Sequence, residues 1–185
     1  MERKNSVYIA TSLDGYIADK NGGIEWLDSI KIPDDEDMGY VKFTEEIDAL
    51  VMGRTTFETV LGFDVDWPYQ KPVFVLSTTL NEIPESHKGK AHLVKGTTVE
   101  ILGQIHKKGY FRLYIDGGKT IQNFLKEDLI DEMIITVFPL VLGGGSPLFS
   151  ETPKELAFEL VESKVYFNQL VQHHYIRNRE TKTTK

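Results

Sequence analysis

The chain has 185 residues, a formal charge of −7 and no cysteine. That length suits one domain around a single core. The missing cysteine excludes disulfides and thiolate metal sites, and the negative balance argues against a general nucleic-acid binder while leaving room for a local basic pocket. Met1 to Ser6 leads straight into an apolar alternation without a signal-peptide block, and no stretch approaches membrane-spanning length. The expectation is a cytoplasmic protein with no membrane or nucleic-acid partner, its domain spanning 7–176 and a polar tail covering 177–185.

Apolar runs and breakers divide the chain in order. Val7 to Ala10 reads as a strand, followed by turns at Asp14-Gly15 and Asn21-Gly22-Gly23 and a boundary at Pro33. Asp35 to Ile47 reads as a helix with Met38, Val41 and Ile47 on one face, although Gly39 interrupts it. Ala49 to Met52 is a short buried strand ending at Gly53, and Thr55 to Leu61 a short helix. Val73 to Leu76 and Ala91 to Val94 are further strands. Val99 to Lys107 reads as a helix with Ile101, Leu102 and Ile105 inward and Thr97 or Thr98 as its cap. Phe111 to Ile115 is a strand, Thr120 to Lys126 a helix and Met133 to Phe138 a strand. Phe158 to Tyr166 and Leu170 to Ile176 form a hairpin joined at Asn168-Gln169. Strands alternating with helices predict an α/β fold, a mostly parallel sheet covered on both faces and closed by an antiparallel hairpin.

Two glycine-rich segments fail familiar labels on spacing. Gly117-Gly118-Lys119-Thr120 ends like a P-loop, but position 113, where the first glycine belongs, is Leu. Gly143-Gly144-Gly145-Ser146-Pro147 lacks the third glycine of the dinucleotide fingerprint, since position 148 is Leu. What remains is a set of small-residue turns, each just after an apolar strand: Gly53-Arg54-Thr55-Thr56, Ser77-Thr78 and Gly117-Gly118-Lys119-Thr120. Ligands of open α/β sheets sit beyond the carboxyl ends of strands. Helix starts there offer unpaired N–H groups to anions, hydroxyls donate, and Arg54 or Lys119 supplies charge. Singly each is an ordinary turn; together they suit a nucleotide with several phosphates.

In this order the chain resembles the dihydrofolate reductase superfamily. The resemblance runs through Ala10 to Ala18, Trp26-Leu27, Asp48 to Glu58, Trp67-Pro68-Tyr69, Val75 to Thr78, Asp116-Gly117-Gly118 and Leu129 to Glu132. Pro139 to Gly145 through Leu148-Phe149 is similar to the branch containing the C-terminal reductase domain of the riboflavin-pathway protein RibD. The resemblance implies a three-layer dihydrofolate-reductase-like fold and NADPH as cofactor. Ala10 and Ile17 would line the nicotinamide site, and Gly53, Arg54, Thr55 and Thr56 would meet the cofactor phosphates. Ser77 and Thr78, helped by Arg54, would take the 2′-phosphate, and Gly117, Gly118, Lys119 and Thr120 would close around the pyrophosphate. The reaction it implies is hydride transfer to a polarised C=N or C=O of a small substrate, a ribosylaminouracil phosphate first and a pterin second. A nucleotide-binding sensor without turnover is the reading from another class.

Four residues bear on the substrate. Asp116 ends a strand beside the Gly-Gly turn, on the side of Arg112 and Tyr114, where the riboflavin-pathway reductases resemble it in carrying an acid that faces substrate. Asp14, before a turn glycine, divides evenly between turn-former and active-site acid. Asp37, in the run Asp34 to Asp37, is first a helix-dipole residue and second a candidate for substrate. Trp26, like Trp67, suits a pocket wall as well as packing. The histidines are scattered, and His173 and His174 fall on opposite faces of a strand, so no metal site is expected. The closing hairpin, rich in Val, Tyr, Phe and Leu, offers an edge for a two-fold partner, hence an expected homodimer.

Overall fold

The computed structural model describes residues 2–179. Its elements are β1 (Lys4–Ser12), β2 (Tyr16–Ala18), α1 (Tyr40–Glu45), β3 (Ala49–Gly53), α2 (Arg54–Leu61), β4 (Val73–Leu76), β5 (Ala91–Val94), α3 (Thr98–Lys107), β6 (Arg112–Asp116), α4 (Gly118–Lys126), β7 (Glu132–Phe138), β8 (Ser146–Pro147), β9 (Phe158–Tyr166) and β10 (Leu170–Arg177). Eight of the strands form one sheet, ordered β5-β4-β3-β6-β1-β7-β10-β9, and β2 pairs with β8 in a small second sheet. The strands from β5 to β7 run parallel; β10 is antiparallel to both β7 and β9.

Period-two alternation explains why the sheet is a middle layer. On β3, Ala49 and Val51 join α3 and α4 through Ile101, Ile105, Ile121 and Phe124. Leu50 and Met52, from the same strand, join Phe43 of α1 and Phe57 of α2 on the opposite face. Leu113 and Ile115 of β6 follow the first set and Tyr114 the second. A parallel strand with both faces apolar can only be stable when both are covered. Asp116 continues the Tyr114 side, and so points into the layer of α1 and α2. A third apolar cluster, with Phe138, Leu170 and Ile30 buried, closes the β7–β10 end beneath the segment following β2.

Helix ends follow local chemistry. Thr97 caps α3 through a capping box with Glu100, which decides between the two threonines. The helix expected over 35–47 shortens to Tyr40–Glu45. Met38 and Gly39 both take left-handed backbone, at φ 51 and 89, and a helix cannot run through them. The Asp37 carboxylate instead accepts the N–H groups of Gly39 and Val41, at 2.8 and 2.9 Å. The β9–β10 turn contains the expected Asn168-Gln169 and one residue more: Tyr166 pairs with Leu170, Phe167 and Asn168 both have φ 55, and the Gln169 N–H donates to the Tyr166 carbonyl. The β2–β8 pair was not anticipated, being only three and two residues long.

The start of the polar tail is anchored, and 180–185 lie outside the described residues. Arg177 belongs to β10. Its guanidinium, 6% exposed, lies 2.7 Å from Asp128 Oδ1 and donates to Oδ2 at 3.0 Å. The Arg177 hydrogen bonds, with help from Lys154, outweigh burial and hold the Asp128 carboxyl down at about 2. Because the folded value is depressed, this stabilisation is present above pH 4 and is lost as pH falls toward 2. Removing one partner of a buried pair costs about 3 kcal/mol or more. Arg177→Ala is therefore expected to lower the urea midpoint strongly at pH 7 and far less at pH 2.5; an unchanged midpoint at pH 7 contradicts the assignment.

Candidate active site

Two helices begin at the carboxyl end of the sheet without side-chain caps: α2 behind Gly53 and α4 behind Gly117. Their first N–H groups are thus left for another acceptor, with the positive ends of the helix dipoles behind them. The two turns touch. A Cβ on Gly117 would overlap Thr56 Oγ1, one on Gly53 would come within 3.1 Å of Thr120 Oγ1, and one on Gly118 within 2.9 Å of Ile17 Cδ1. Gly53, Thr56, Gly117, Gly118, Thr120 and Ile17, scattered in sequence, therefore form one continuous surface. It combines backbone donors, two hydroxyls and no room for side chains, which fits a pyrophosphate. Thr55 and Lys119 are exposed at the same two turns.

Beside this surface lies a cleft of about 420 Å³ lined by Arg54, Ser77, Thr78, Lys95, Gly96 and Thr98, among others. Ser77 Oγ accepts the N–H groups of Thr79 and Leu80 at 3.1 and 2.8 Å, which shapes the turn after β4 and leaves its proton to donate. Arg54 is held by Glu58 at 3.0 Å in an exposed i,i+4 pair. Such a pair is worth about 0.3–0.5 kcal/mol and yields easily to a phosphate. Lys95, Gly96 and Thr98 were missed by sequence reasoning. Their signal was present, since Lys95-Gly96-Thr97-Thr98 is a fourth small-residue turn directly behind an apolar strand.

Asp116 lies one residue from the cradle. Its Oδ1 accepts the Gly117 N–H at 2.8 Å. Desolvation pushes the carboxyl up to about 6, against the lowering effect of that hydrogen bond. Tyr40, Tyr69 and Tyr114 surround it: burial chiefly, and then the Asp116 charge, raises all three phenols. Tyr114 donates to the Tyr8 carbonyl at 2.8 Å and Tyr8 to the Met38 carbonyl at 3.0 Å, so this side of the sheet is tied to the segment ahead of α1. Ala10 is half-buried on β1 and packs into the cluster that contains Trp26. The Trp26 ring stands edge-on to Phe138 at 5.3 Å, and its Nε1 meets no acceptor among the described residues. Packing accounts for the ring and leaves its N–H spare.

The two other acids do not join Asp116. Asp14 is exposed, and its carboxylate receives the Ser12 hydroxyl at 2.6 Å and the N–H groups of Leu142 and Gly143 at 3.0 and 2.8 Å. These bonds hold it below the ordinary carboxylate range, the Ser12 contact most. It staples the β1–β2 turn to the glycine loop, where a Cβ on Gly145 would strike the Ala18 carbonyl. These contacts are those of a turn-former. Asp37, also exposed, is lowered by the Val41 and Gly39 N–H groups and closes the turn ahead of α1. His174 pairs with Glu132 at 2.7 Å, on the far side of the sheet's strand order from the cradle.

A three-layer α/β arrangement with a mostly parallel sheet, two uncapped helix starts meeting at its carboxyl edge and a closing antiparallel hairpin defines the dihydrofolate-reductase-like fold. The model of the RibD C-terminal domain matches residues 5–172, and the chain belongs to that family of reductases. The protein YwjB of Bacillus subtilis (strain 168) is 38% identical over 189 residues, covering 96% of this chain and 99% of that one. A crystal structure from Shewanella sp. PV-4, named for riboflavin biosynthesis, is 56% identical with a TM-score of 0.92, covering 95% of this chain and 99% of its own. Dihydrofolate reductase from Enterococcus faecalis, complexed with NADP(H), shares the fold at 17% identity and a TM-score of 0.63, covering 95% and 96% of the two chains. Among the described residues no helix is long and apolar enough to cross a membrane.

Proposed function

We propose that the chain is an NADPH-dependent reductase of a small planar heterocycle, with ribosylaminouracil-type reduction as its reaction. The observation that carries this reading is the adjacency of an uncapped double-helix cradle to a half-buried carboxyl, Asp116, which desolvation pushes up to about 6. Membership in the RibD C-terminal family and the likeness to a protein named for riboflavin biosynthesis support it.

The cofactor supplies a hydride, and the chain supplies position and proton. The α2 and α4 starts, with Thr56 and Thr120, hold the pyrophosphate. Ile17, over Gly118, and Ala10 bound the nicotinamide end. Arg54, Lys95, Ser77 and Thr78 take the 2′-phosphate by charge-assisted bonds. Asp116, protonated, gives its proton to the nitrogen or oxygen of the C=N or C=O as the carbon accepts the hydride. The balance is one hydride to carbon and one proton to the heteroatom, leaving oxidised cofactor. Mixing protein, NADPH and ribosylaminouracil compounds and following absorbance at the reduced-nicotinamide band tests the reaction; cofactor binding with no oxidation would refute it.

Cofactor choice gives a separate expectation. NADPH should bind more tightly than NADH by about 1–3 kcal/mol, and Lys95→Ala or Arg54→Ala should erode NADPH affinity about 10-fold while sparing NADH. Fluorescence titration of both cofactors reads this, and equal wild-type affinities contradict it. We propose also that the free edge of β9, where Leu160, Val161 and Val165 are 56%, 55% and 65% exposed, pairs two copies of the chain. Sedimentation should give twice the 21.1 kDa chain mass; a monomer at micromolar concentration contradicts it.

A further inference from the structure

The short β2–β8 pair rests on the start of α4 and needs support from outside itself. It joins Tyr16 to Pro147 and Ala18 to Ser146, with an irregular register between them. So small a two-stranded unit is not stable alone. Asp14, ahead of β2, receives the N–H groups of Leu142 and Gly143, ahead of β8. The Leu148 N–H, just beyond β8, donates to the Gly15 carbonyl at 2.9 Å. These bonds tie the two strands to each other and leave their seat on the helix undecided.

Gln122 decides that seat. It lies one turn on from Gly118, on the same face of α4, and is 9% exposed. Its Nε2 donates to the Pro147 carbonyl at 2.7 Å. A carbonyl can only accept, so this contact fixes which way the amide points. Among the described residues it is the one hydrogen bond between α4 and the β2–β8 pair. The same carbonyl faces Gly118: a Cβ there would come within 3.4 Å of it, beside the 2.9 Å approach to Ile17 Cδ1. Ile17 stands between Tyr16 and Ala18, the two residues that β8 holds. Gly118, Ile17, Pro147 and Gln122 therefore meet at one place, the first turn of α4.

We infer that Gln122 is a positioning residue for the nicotinamide half of the cofactor. Its hydrogen bond seats β8 on α4, β8 holds β2, and β2 sets Ile17 over Gly118, where it bounds the nicotinamide. The phosphates are held by the helix starts, the hydroxyls and the cations of the cleft, and their binding does not pass through this bond. Removing the Gln122 donor leaves the Pro147 carbonyl without its helix partner and loosens Ile17. The inference rests on the cofactor reading of the same site.

The test compares NADPH with 2′-phospho-ADP-ribose, which carries the same phosphates and lacks the nicotinamide, by calorimetry on the full chain. Wild type should bind NADPH more tightly than the fragment. Gln122→Met keeps the side chain's length and removes its donor. It should lose about 10-fold in NADPH affinity, the effect of one buried hydrogen bond, and leave the fragment's affinity unchanged. Gln122→Asn keeps the amide but falls short of Pro147; it should show the same split, and stands in if the Met variant folds poorly. Ile17→Ala should reproduce the split. The double variant with Gln122→Met should lose no more than the larger single loss, because both act through one contact. Equal losses for the two ligands, or additive losses in the double variant, overturn the inference and leave the cofactor reading standing. Wild-type chain that binds neither ligand overturns the cofactor reading and the inference together.

Discussion

Asp116→Asn is expected to reduce turnover about 100-fold or more while raising the melting temperature at pH 8. The first effect follows from deleting a positioned proton donor. The second follows from linkage. Desolvation raises the folded-state pKa from 3.8 to about 6, so the folded protein holds this proton more tightly than the unfolded chain does. Its contribution is most favourable below pH 4 and deteriorates as pH rises through 6, by a total of about 3 kcal/mol. Asn keeps an acceptor for the Gly117 N–H and carries no charge to desolvate. A gain of roughly 5–10 °C at pH 8, vanishing at pH 4, is the corresponding shift for a domain of this size. NADPH affinity should stay close to wild type. Melts at the two pH values, beside an NADPH oxidation assay, read all three effects; equal melting temperatures at pH 8 would mean that the carboxyl is better solvated than its setting implies.

Gly117→Ala is expected to damage both fold and cofactor binding. Gly117 has φ 86, a conformation that strains any side chain, and a Cβ there would overlap Thr56 Oγ1. The two penalties together come to about 2–4 kcal/mol. They fall where the starts of α2 and α4 meet, so a shift there separates the two sets of N–H donors. NADPH affinity should drop about 100-fold. Thr56→Ala in the same chain removes the overlap but not the backbone strain, and should recover only part of the stability. Full affinity in Gly117→Ala would show that the two helix starts do not act as one anion site.

Much of this architecture could be read from residue order because it depends on local periodicity. Leu50-Val51-Met52 and Leu113-Tyr114-Ile115 announce strands buried on both faces, and Thr97-Thr98 announces a capped helix whose cap the Glu100 contact then fixes at Thr97. The glycine-and-hydroxyl turns behind those strands pointed to the cradle, and the cradle surface unites turns from β3 and β6. Lys95 escaped notice although its turn has the same pattern, because no resemblance drew attention to it. The region ahead of α1 misled for a physical reason. Met38, Val41 and Ile47 have helical spacing, but Asp37 offers its carboxylate to the Gly39 and Val41 N–H groups and stabilises a turn instead. Asp14 was ambiguous in sequence because its partners, Leu142 and Gly143, are about 130 positions away. The phenols around Asp116 come from α1, the loop before β4 and β6, and only the folded sheet brings them together.

The central claim, that Asp116 is the proton donor set beside the cofactor cradle, is tested most directly by the pH dependence of kcat/KM for wild type and Asp116→Asn on the same substrate. A donor with its pKa near 6 must be protonated to act, so wild-type kcat/KM should fall tenfold per pH unit above about 6. The variant should be slow and flat across the same range. A variant that keeps both the wild-type rate and the fall above pH 6 would place the proton donor elsewhere.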